Sequence, residues 1–508
     1  MDTGRSVWRY WYPVAFGGVV AAIFGWNLYR AFTLAITHDE AATYEWFVAG
    51  GPAYILSPAR YEANNHVLYS LLAWGSVKIL GLSEFSLRLP SVLAGPLLLV
   101  GVGRLFRLLS ASRMLGLLGL LVVALDPLVM DFQVAARGYG LGLALCLWAW
   151  HGMARSLVPA IGPDSGRDER RRFLGVGVAQ GLAVGANLVY SFPNLALTLA
   201  FVVLTLARRP GERRATLAVF TRYCLLPAAA VALLFSLPIL GHLGGDQFYY
   251  GTASLAEMAS SLAQPTVEAL AGRDSWGLPP ELPREGPGVW AQILMAAFLA
   301  TLLPLPVVVY RLYRDPGARL DEWAALSAFL AGGTVVLVVL LVCAHWVFGL
   351  VYPRDRTGLY FIPLAVGCWL LVVRKMWESG GGLRLLGGVA TAPLVGSVVL
   401  FASQLQADYL YRWRFDAGSR RIYHLLAEKV SARPGARIGH DWIFEPGLNF
   451  YRVVSGPGPF PPFGRDGPEG DHDYYYLEAN TAREWVRAGR IRVIDKDPVS
   501  GSVVGVPP

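Results

Sequence analysis

The sequence predicts a polytopic α-helical membrane protein with about eleven transmembrane helices, interfacial helices in its first outer loop and a small α/β C-terminal domain. Three observations predict it. The 508 residues are 54% hydrophobic and only 16% charged, with mean hydropathy +0.43, which is too apolar for a soluble chain of this size. Apolar runs near the length a bilayer requires recur from residue 13 to residue 402. From residue 403 onward the charge rises, and Gly and Pro become frequent.

The runs fall at 13–36, 88–108, 113–132, 138–157, 173–190, 191–207, 219–241, 289–310, 323–348, 358–373 and 385–402. The stretch 173–207 is read as two spans because Asn187, Ser191, Pro193 and Asn194 form a polar turn in its middle. The basic N-terminus is followed by a long apolar stretch without a small-residue cleavage site, so it is expected to be a retained helix rather than a removable signal peptide.

Lys and Arg concentrate in short cytoplasmic loops. With the N-terminus cytoplasmic, one side receives Arg104, Arg107 and Arg113, then Arg155 and the 167–172 cluster, then Arg208, Arg209, Arg213 and Arg214, then Arg311, Arg314 and Arg319, and finally Arg374, Lys375 and Arg384. The opposite side receives the long loop 37–87, the turns near 131–137 and 190–194, the loops 242–288 and 349–357, and the tail. Counting the apolar segment 66–81 as a span would invert every later loop. At about 16 residues it is also short, so it is expected to lie along the outer interface.

The chain thus divides into a transmembrane part, 1–402, and an extracytoplasmic α/β part, 403–508. In the tail, 416–430 reads as a helix stopped by Arg433-Pro434-Gly435, and 436–438 and 474–477 read as strands. The four cysteines, Cys146, Cys224, Cys343 and Cys368, lie in apolar runs at wide spacing, so neither a disulfide framework nor a zinc site is expected. The net charge of +8 comes almost wholly from Arg in loop clusters. That pattern determines topology and offers no nucleic-acid surface.

Charges at a membrane boundary are expensive, and three groups stand out at the outer ends of spans. The first is Asp39-Glu40, followed by Arg60 and Glu62 and by Asn64-Asn65-His66. The acids could simply cap a helix beginning near Ala41, but an acidic pair is also a proton acceptor or cation ligand. The second group is Asp131, Gln133, Arg137 and Tyr139, where Arg137 could snorkel to the interface or clamp a phosphate. The third is Arg354, Asp355, Arg356 and Tyr360 in VYPRDRTGLY. Outer arginines run against the charge rule, so they pair with Asp355 or meet a lipid phosphate.

The sequence has no GxxxxGKS phosphate loop, no HExxH and no GxSxG. Charges are nearly absent from the centres of the spans, which weighs against an ion-coupled transporter.

These features together resemble the membrane-integral GT-C glycosyltransferases, specifically bacterial relatives of protein O-mannosyltransferases and of the aminoarabinose transferases that modify lipid A. The resemblance rests on Thr37-His38-Asp39-Glu40-Ala41 after the first helix, Asn64-Asn65-His66, GLSEFSLRLPS at 81–91, ARGYGL at 136–141 and LNFYR at 448–452. The chain departs from the family pattern at Val67 and Gly138, where Pro is common, and at Ala135, where an acid is common.

The resemblance implies transfer of a sugar from a polyprenyl-phosphate donor to an acceptor at the outer face of the plasma membrane, with inversion at the anomeric carbon. It implies Asp39 as general base, Glu40 orienting the acceptor or holding a cation, and Arg356 with Arg354 or Arg137 neutralising the departing phosphate. Asn64, Asn65, His66, Tyr139 and Tyr360 complete the candidate substrate-binding set. Whether a divalent cation binds near Asp39 and Glu40 stays open. The expected partners are the lipid donor, membrane lipids and an acceptor that is a protein, lipid or glycan, with no nucleic acid. Two alternatives are a lipid-linked substrate carrier or flippase, and an inactive scaffold-like relative.

Overall fold

The computed structural model describes residues 3–57, 62, 64–158, 166–237, 249–271, 302, 305, 306, 310, 314, 320–456 and 458–508. Most of the expected span 289–310, the parts 242–248 and 272–288 of the loop, and Arg60, Arg311 and Arg319 lie outside these residues.

Helix α1 (Thr3–Thr33) leads into α2 (His38–Thr43), a π turn (Tyr44–Val48) and α3 (Gly51–Ile55). The segment expected at the interface is α4 (Val67–Leu80), followed by α5 (Glu84–Leu109), α6 (Arg113–Leu125), α7 (Pro127–Phe132) and α8 (Gly138–Leu157). Next come α9 (Gly166–Ala186), α10 (Ser191–Arg208), α11 (Arg213–Phe220), α12 (Leu226–Ser236) and α13 (Leu255–Ala271). The last three helices before the tail are α14 (Glu322–Phe348), α15 (Phe361–Ser379) and α16 (Gly381–Ser403).

Among the described residues, six helices are long and apolar enough to cross a membrane: Trp11–Thr33, Glu84–Leu109, Leu188–Arg208, Arg213–Ser236, Glu322–Phe348 and Gly381–Ser403. Helices α6, α8, α9 and α15 occupy other expected spans but are shorter or more polar. Helix α6 stops at Leu125 because Asp126 caps a new helix there, accepting the N–H groups of Leu128 and Val129, and Pro127 opens it. The 173–207 stretch is two helices, parted where Asn187 accepts the N–H of Val189.

Basic side chains gather at one end of the bundle. Arg107 and Arg113 stand over the Tyr12 ring, each at 5.8 Å. Arg374 binds the Leu108 carbonyl and Glu322, and Arg208 binds the carbonyls of Leu157 and Leu320. Arg374 and Arg208 thus satisfy carbonyls in the last turns of α5 and α8.

The tail holds α17 (Ser419–Ala432), β1 (Ile438–His440), α18 (Glu445–Val454), β2 (Tyr474–Leu477), α19 (Ala479–Arg487), β3 (Arg492–Lys496) and β4 (Val503–Val506). The sheet order is β1-β2-β4-β3, with β1 and β2 parallel and the other pairs antiparallel. The tail and the first loop share one hydrophobic core. Ile36, Ala41, Val48, Tyr69 and Leu87 pack with Ile422, Tyr423, Leu448 and Tyr476. That shared core presses α18 onto α2, the short helix that carries both acids.

Candidate active site

Helix α2 begins with a capping box. Thr37 Oγ1 accepts the Glu40 N–H at 3.3 Å, and a Glu40 carboxylate oxygen accepts the Thr37 N–H at 3.0 Å. Glu40 also takes Arg88 on both oxygens, at 2.8 and 2.7 Å, and the Ala136 N–H at 2.7 Å. Both side chains of this ion pair are 0% exposed. Burial works to raise the Glu40 pKa, but the Arg88 guanidinium and the backbone donors outweigh it and hold the carboxyl below its usual range. Every Glu40 acceptor is in use. In this arrangement Glu40 pins α2 to α5 and to the turn before α8.

Asp39 faces the other way. Its Oδ2 accepts Arg356 Nη1 at 2.7 Å, with the two side chains 15% and 16% exposed. Burial pushes the Asp39 pKa up, while Arg356, Arg137 and a hydrogen bond from Trp413 together hold it below the ordinary value. The Arg356 guanidinium lies 4.3 Å from the Tyr250 ring centre and 5.7 Å from that of Trp413, and its Nε is buried without a partner. The anionic carboxylate and the surrounding rings keep Arg356 charged, its pKa raised despite burial.

Arg137 lies alongside. It donates to Thr43 Oγ1 at 2.9 Å and to Asn64 Oδ1, and Thr43 in turn donates to the Asp39 carbonyl. The Arg137 Nε is also buried and unpartnered. Gly138, next in the chain, is held by contact: a Cβ there would meet the Ala186 carbonyl oxygen at 1.9 Å. The glycine lets the start of α8 close on the end of α9, which brings Arg137 to α2.

Other expected site residues serve packing. The Gly138 N–H donates to His66 Nδ1 at 2.9 Å, and the Asn187 side-chain amide lies 2.9 Å from Nε2. Burial and the nearby arginines depress the His66 pKa well below its usual value, so the ring is neutral with both nitrogens engaged. Asn65 donates to the Ile55 carbonyl and accepts from Ser70, fixing the entry to α4. Tyr360 is core, packed against Tyr190 and Phe361. His66, Asn65 and Tyr360 are thus each held by protein partners, at the head of α4 and in the core beside α15. Tyr139 is buried against His66 and Phe132. Arg354 is half-exposed, 5.9 Å from the centre of the Tyr250 ring.

Asp131 does not stand in for the acid absent at Ala135, because it pairs with Arg30 at 2.8 Å. Gln133 bonds Asn27 and the Ala124 carbonyl. Among the described residues no group of three or more His, Cys, Asp and Glu is placed to hold a metal ion. Asp39 and Glu40 point to different partners, Arg356 and Arg88.

The sequence reading left out Arg88, Thr43, Tyr250, Arg412 and Trp413. Arg88 had a signal, a lone arginine at the head of a span. Tyr250, Arg412 and Trp413 had none, lying far along the chain in otherwise ordinary loops.

No protein-family model matches the chain, and no curated protein matches it in sequence. Among solved structures, it is similar to ArnT from Cupriavidus metallidurans bound to undecaprenyl phosphate, at 17% identity over 98% of each chain with a TM-score of 0.43. It is also similar to the Archaeoglobus fulgidus oligosaccharyltransferase in complex with zinc and sulfate, at 13% identity over 94% of this chain and 69% of that one, TM-score 0.47. A third similarity is to arabinosyltransferase EmbB from Mycobacterium smegmatis, at 12% identity over 86% of this chain and 42% of that one, TM-score 0.37. None of these similarities carries a residue role over to this chain.

Proposed function

We propose that the protein is a membrane glycosyltransferase that moves a sugar from a polyprenyl-phosphate donor to an acceptor hydroxyl at the outer face of the plasma membrane, with Asp39 as general base. The observation that carries this reading is the half-open Asp39–Arg356 pair. It is a carboxylate beside a cation whose buried Nε donor lacks a partner, and both side chains keep some access.

The chemistry follows from the pair. The acceptor oxygen forms its bond to the anomeric carbon as the bond to the carrier phosphate breaks, on the opposite face, so the configuration inverts. The hydroxyl proton goes to Asp39. The departing phosphate gains charge, which Arg356 and Arg137 neutralise. Among the described residues, Arg137, Arg354, Arg356 and Arg412 stand with Asp39 and Asp355 around this centre. With Asp416, which accepts the His38 N–H next to Asp39, four guanidiniums face three carboxyl groups, a positive balance suited to a phosphate.

Arg356 serves two partners in turn. As long as it pairs with Asp39, the carboxylate is a weak base. When donor phosphate draws the guanidinium, the opposing burial raises the Asp39 pKa and strengthens the base. The orientation with the basic end cytoplasmic puts this centre outside.

The test is mass spectrometry of lipid carriers and glycans in a deletion strain, paired with the purified protein in lipid nanodiscs. Expected are accumulation of one polyprenyl-phosphate sugar in the strain and release of polyprenyl phosphate by the protein. An unchanged carrier pool and no release would overturn the reading. A cysteine introduced between 101 and 113 is expected to label only from the cytoplasmic side; labelling from outside would overturn the orientation.

A further inference from the structure

Arg356 is carried on a four-residue 3-10 turn, Asp355–Gly358, and the residue before it is the one described non-glycine residue with positive φ, Asp355 at 36°. A side chain in that region strains the backbone, and such strain persists only where the surroundings impose it. Here they do. Asp355 is 1% exposed, and its carboxylate receives the Tyr250 hydroxyl at 2.8 Å, Arg412 Nη2 at 2.7 Å and the backbone N–H of Arg356. Its own N–H donates to Ser261 Oγ at 2.9 Å. Two backbone hydrogen bonds of 2.9 Å between Thr252 and Tyr352 fasten the same loop just upstream.

Two side-chain partners of Asp355, Tyr250 and Arg412, lead back to Arg356. The ring whose hydroxyl binds Asp355, Tyr250, is the ring under the Arg356 guanidinium. Arg412 is the chain neighbour of Trp413, whose ring centre is 5.7 Å from the Arg356 guanidinium and which hydrogen-bonds Asp39. One buried carboxylate thus ties together the arginine turn, the loop before α13 and the first turn of the tail. It holds the Tyr250 ring directly and the Trp413 ring through its neighbour Arg412, both beside the Arg356 guanidinium.

We propose that Asp355 is a positioning residue for phosphate recognition: it holds Arg356 between Tyr250 and Trp413 so that the guanidinium can exchange Asp39 for a lipid-linked phosphate. This rests on the proposed function, since it assigns the phosphate to Arg356. It also makes the start of the tail part of the active site.

The experiment measures binding of two probes, undecaprenyl phosphate and undecaprenol, to the full-length protein in detergent. The wild type is expected to prefer the phosphate. Asp355→Gly keeps the backbone conformation and removes the carboxylate; it is expected to weaken undecaprenyl phosphate about tenfold and leave undecaprenol unchanged. Asp355→Asn keeps an acceptor for Tyr250 and tolerates positive φ, so it is expected to recover part of the loss. Should Asp355→Gly not fold, Tyr250→Phe removes only the hydroxyl and is expected to lower phosphate preference in the same direction. Phosphate preference equal to wild type in Asp355→Gly or Tyr250→Phe, with Arg356→Gln losing it, would overturn the positioning role alone. Preference retained in Arg356→Gln as well would overturn the phosphate site together with it.

Discussion

Two ion pairs begin one residue apart in the chain and differ in almost every physical respect. Glu40 and Arg88 are fully enclosed, with every carboxylate lone pair and both helix neighbours accounted for. Asp39 and Arg356 have nearly the same separation but are partly open, and Arg356 keeps a buried donor without a partner. A saturated pair can only hold; an unsaturated one can exchange. The difference teaches that adjacent charges at a membrane boundary need not share a role, and that the hydrogen-bond inventory separates them better than charge or spacing.

The sharpest break of the comparison is Glu40→Gln. It leaves Arg88 buried with its charge uncompensated, and the expected loss is about 3–5 kcal/mol of stability, seen as a large fall in melting temperature in detergent. Stability within error of wild type would mean that Glu40 does not anchor α2. Next in size is Arg356→Gln, expected to lower the transfer rate about 10²–10³-fold with little change in melting, because the open pair contributes less to folding than the closed one.

The same variant has a pH signature. The folded Asp39 pKa lies below its ordinary 3.8, so the pair's contribution to stability is complete above that value and fades as pH falls through the folded pKa. The acid limb of kcat/KM is accordingly expected below pH 3.8 in the wild type. In Arg356→Gln burial is less opposed and the limb moves to higher pH. An unmoved limb would dissociate Asp39 from Arg356. The smallest effect belongs to Thr37→Ala, which removes half of the capping box and is expected to cost about 1 kcal/mol, measured by the same melts, while transfer per folded molecule stays the same.

Much of this molecule is legible in the sequence, for identifiable reasons. Apolar runs and polar turns mark the helices because lipid leaves the backbone few alternatives, and the turn at Asn187, the helix at 67–80 and the strand at 474–477 all fall where the pattern puts them. Asp39, Arg137 and Arg356 are legible because charges in those places demand partners. Which partner each takes is not legible. The Thr37-x-x-Glu40 box is a local signal for capping, yet the choice of Arg88 for Glu40 depends on how α5 crosses α2. His66 is legible as a polar group at the head of α4, but its meeting with Gly138 and Asn187 is not. Asp355 looks like a surface partner for flanking arginines, whereas Arg412 from the tail claims it at 2.7 Å. Such pairings come from tertiary contacts 48 or more residues apart, which no local pattern encodes.

The central claim is that Asp39, and not Glu40, carries the chemistry. Its most direct test is the rate of sugar transfer by Asp39→Asn, measured with the donor identified by mass spectrometry and on protein whose melting matches wild type. The expected result is a fall of about 10²–10⁴-fold with donor binding preserved. Transfer at the wild-type rate by that folded variant would contradict the account.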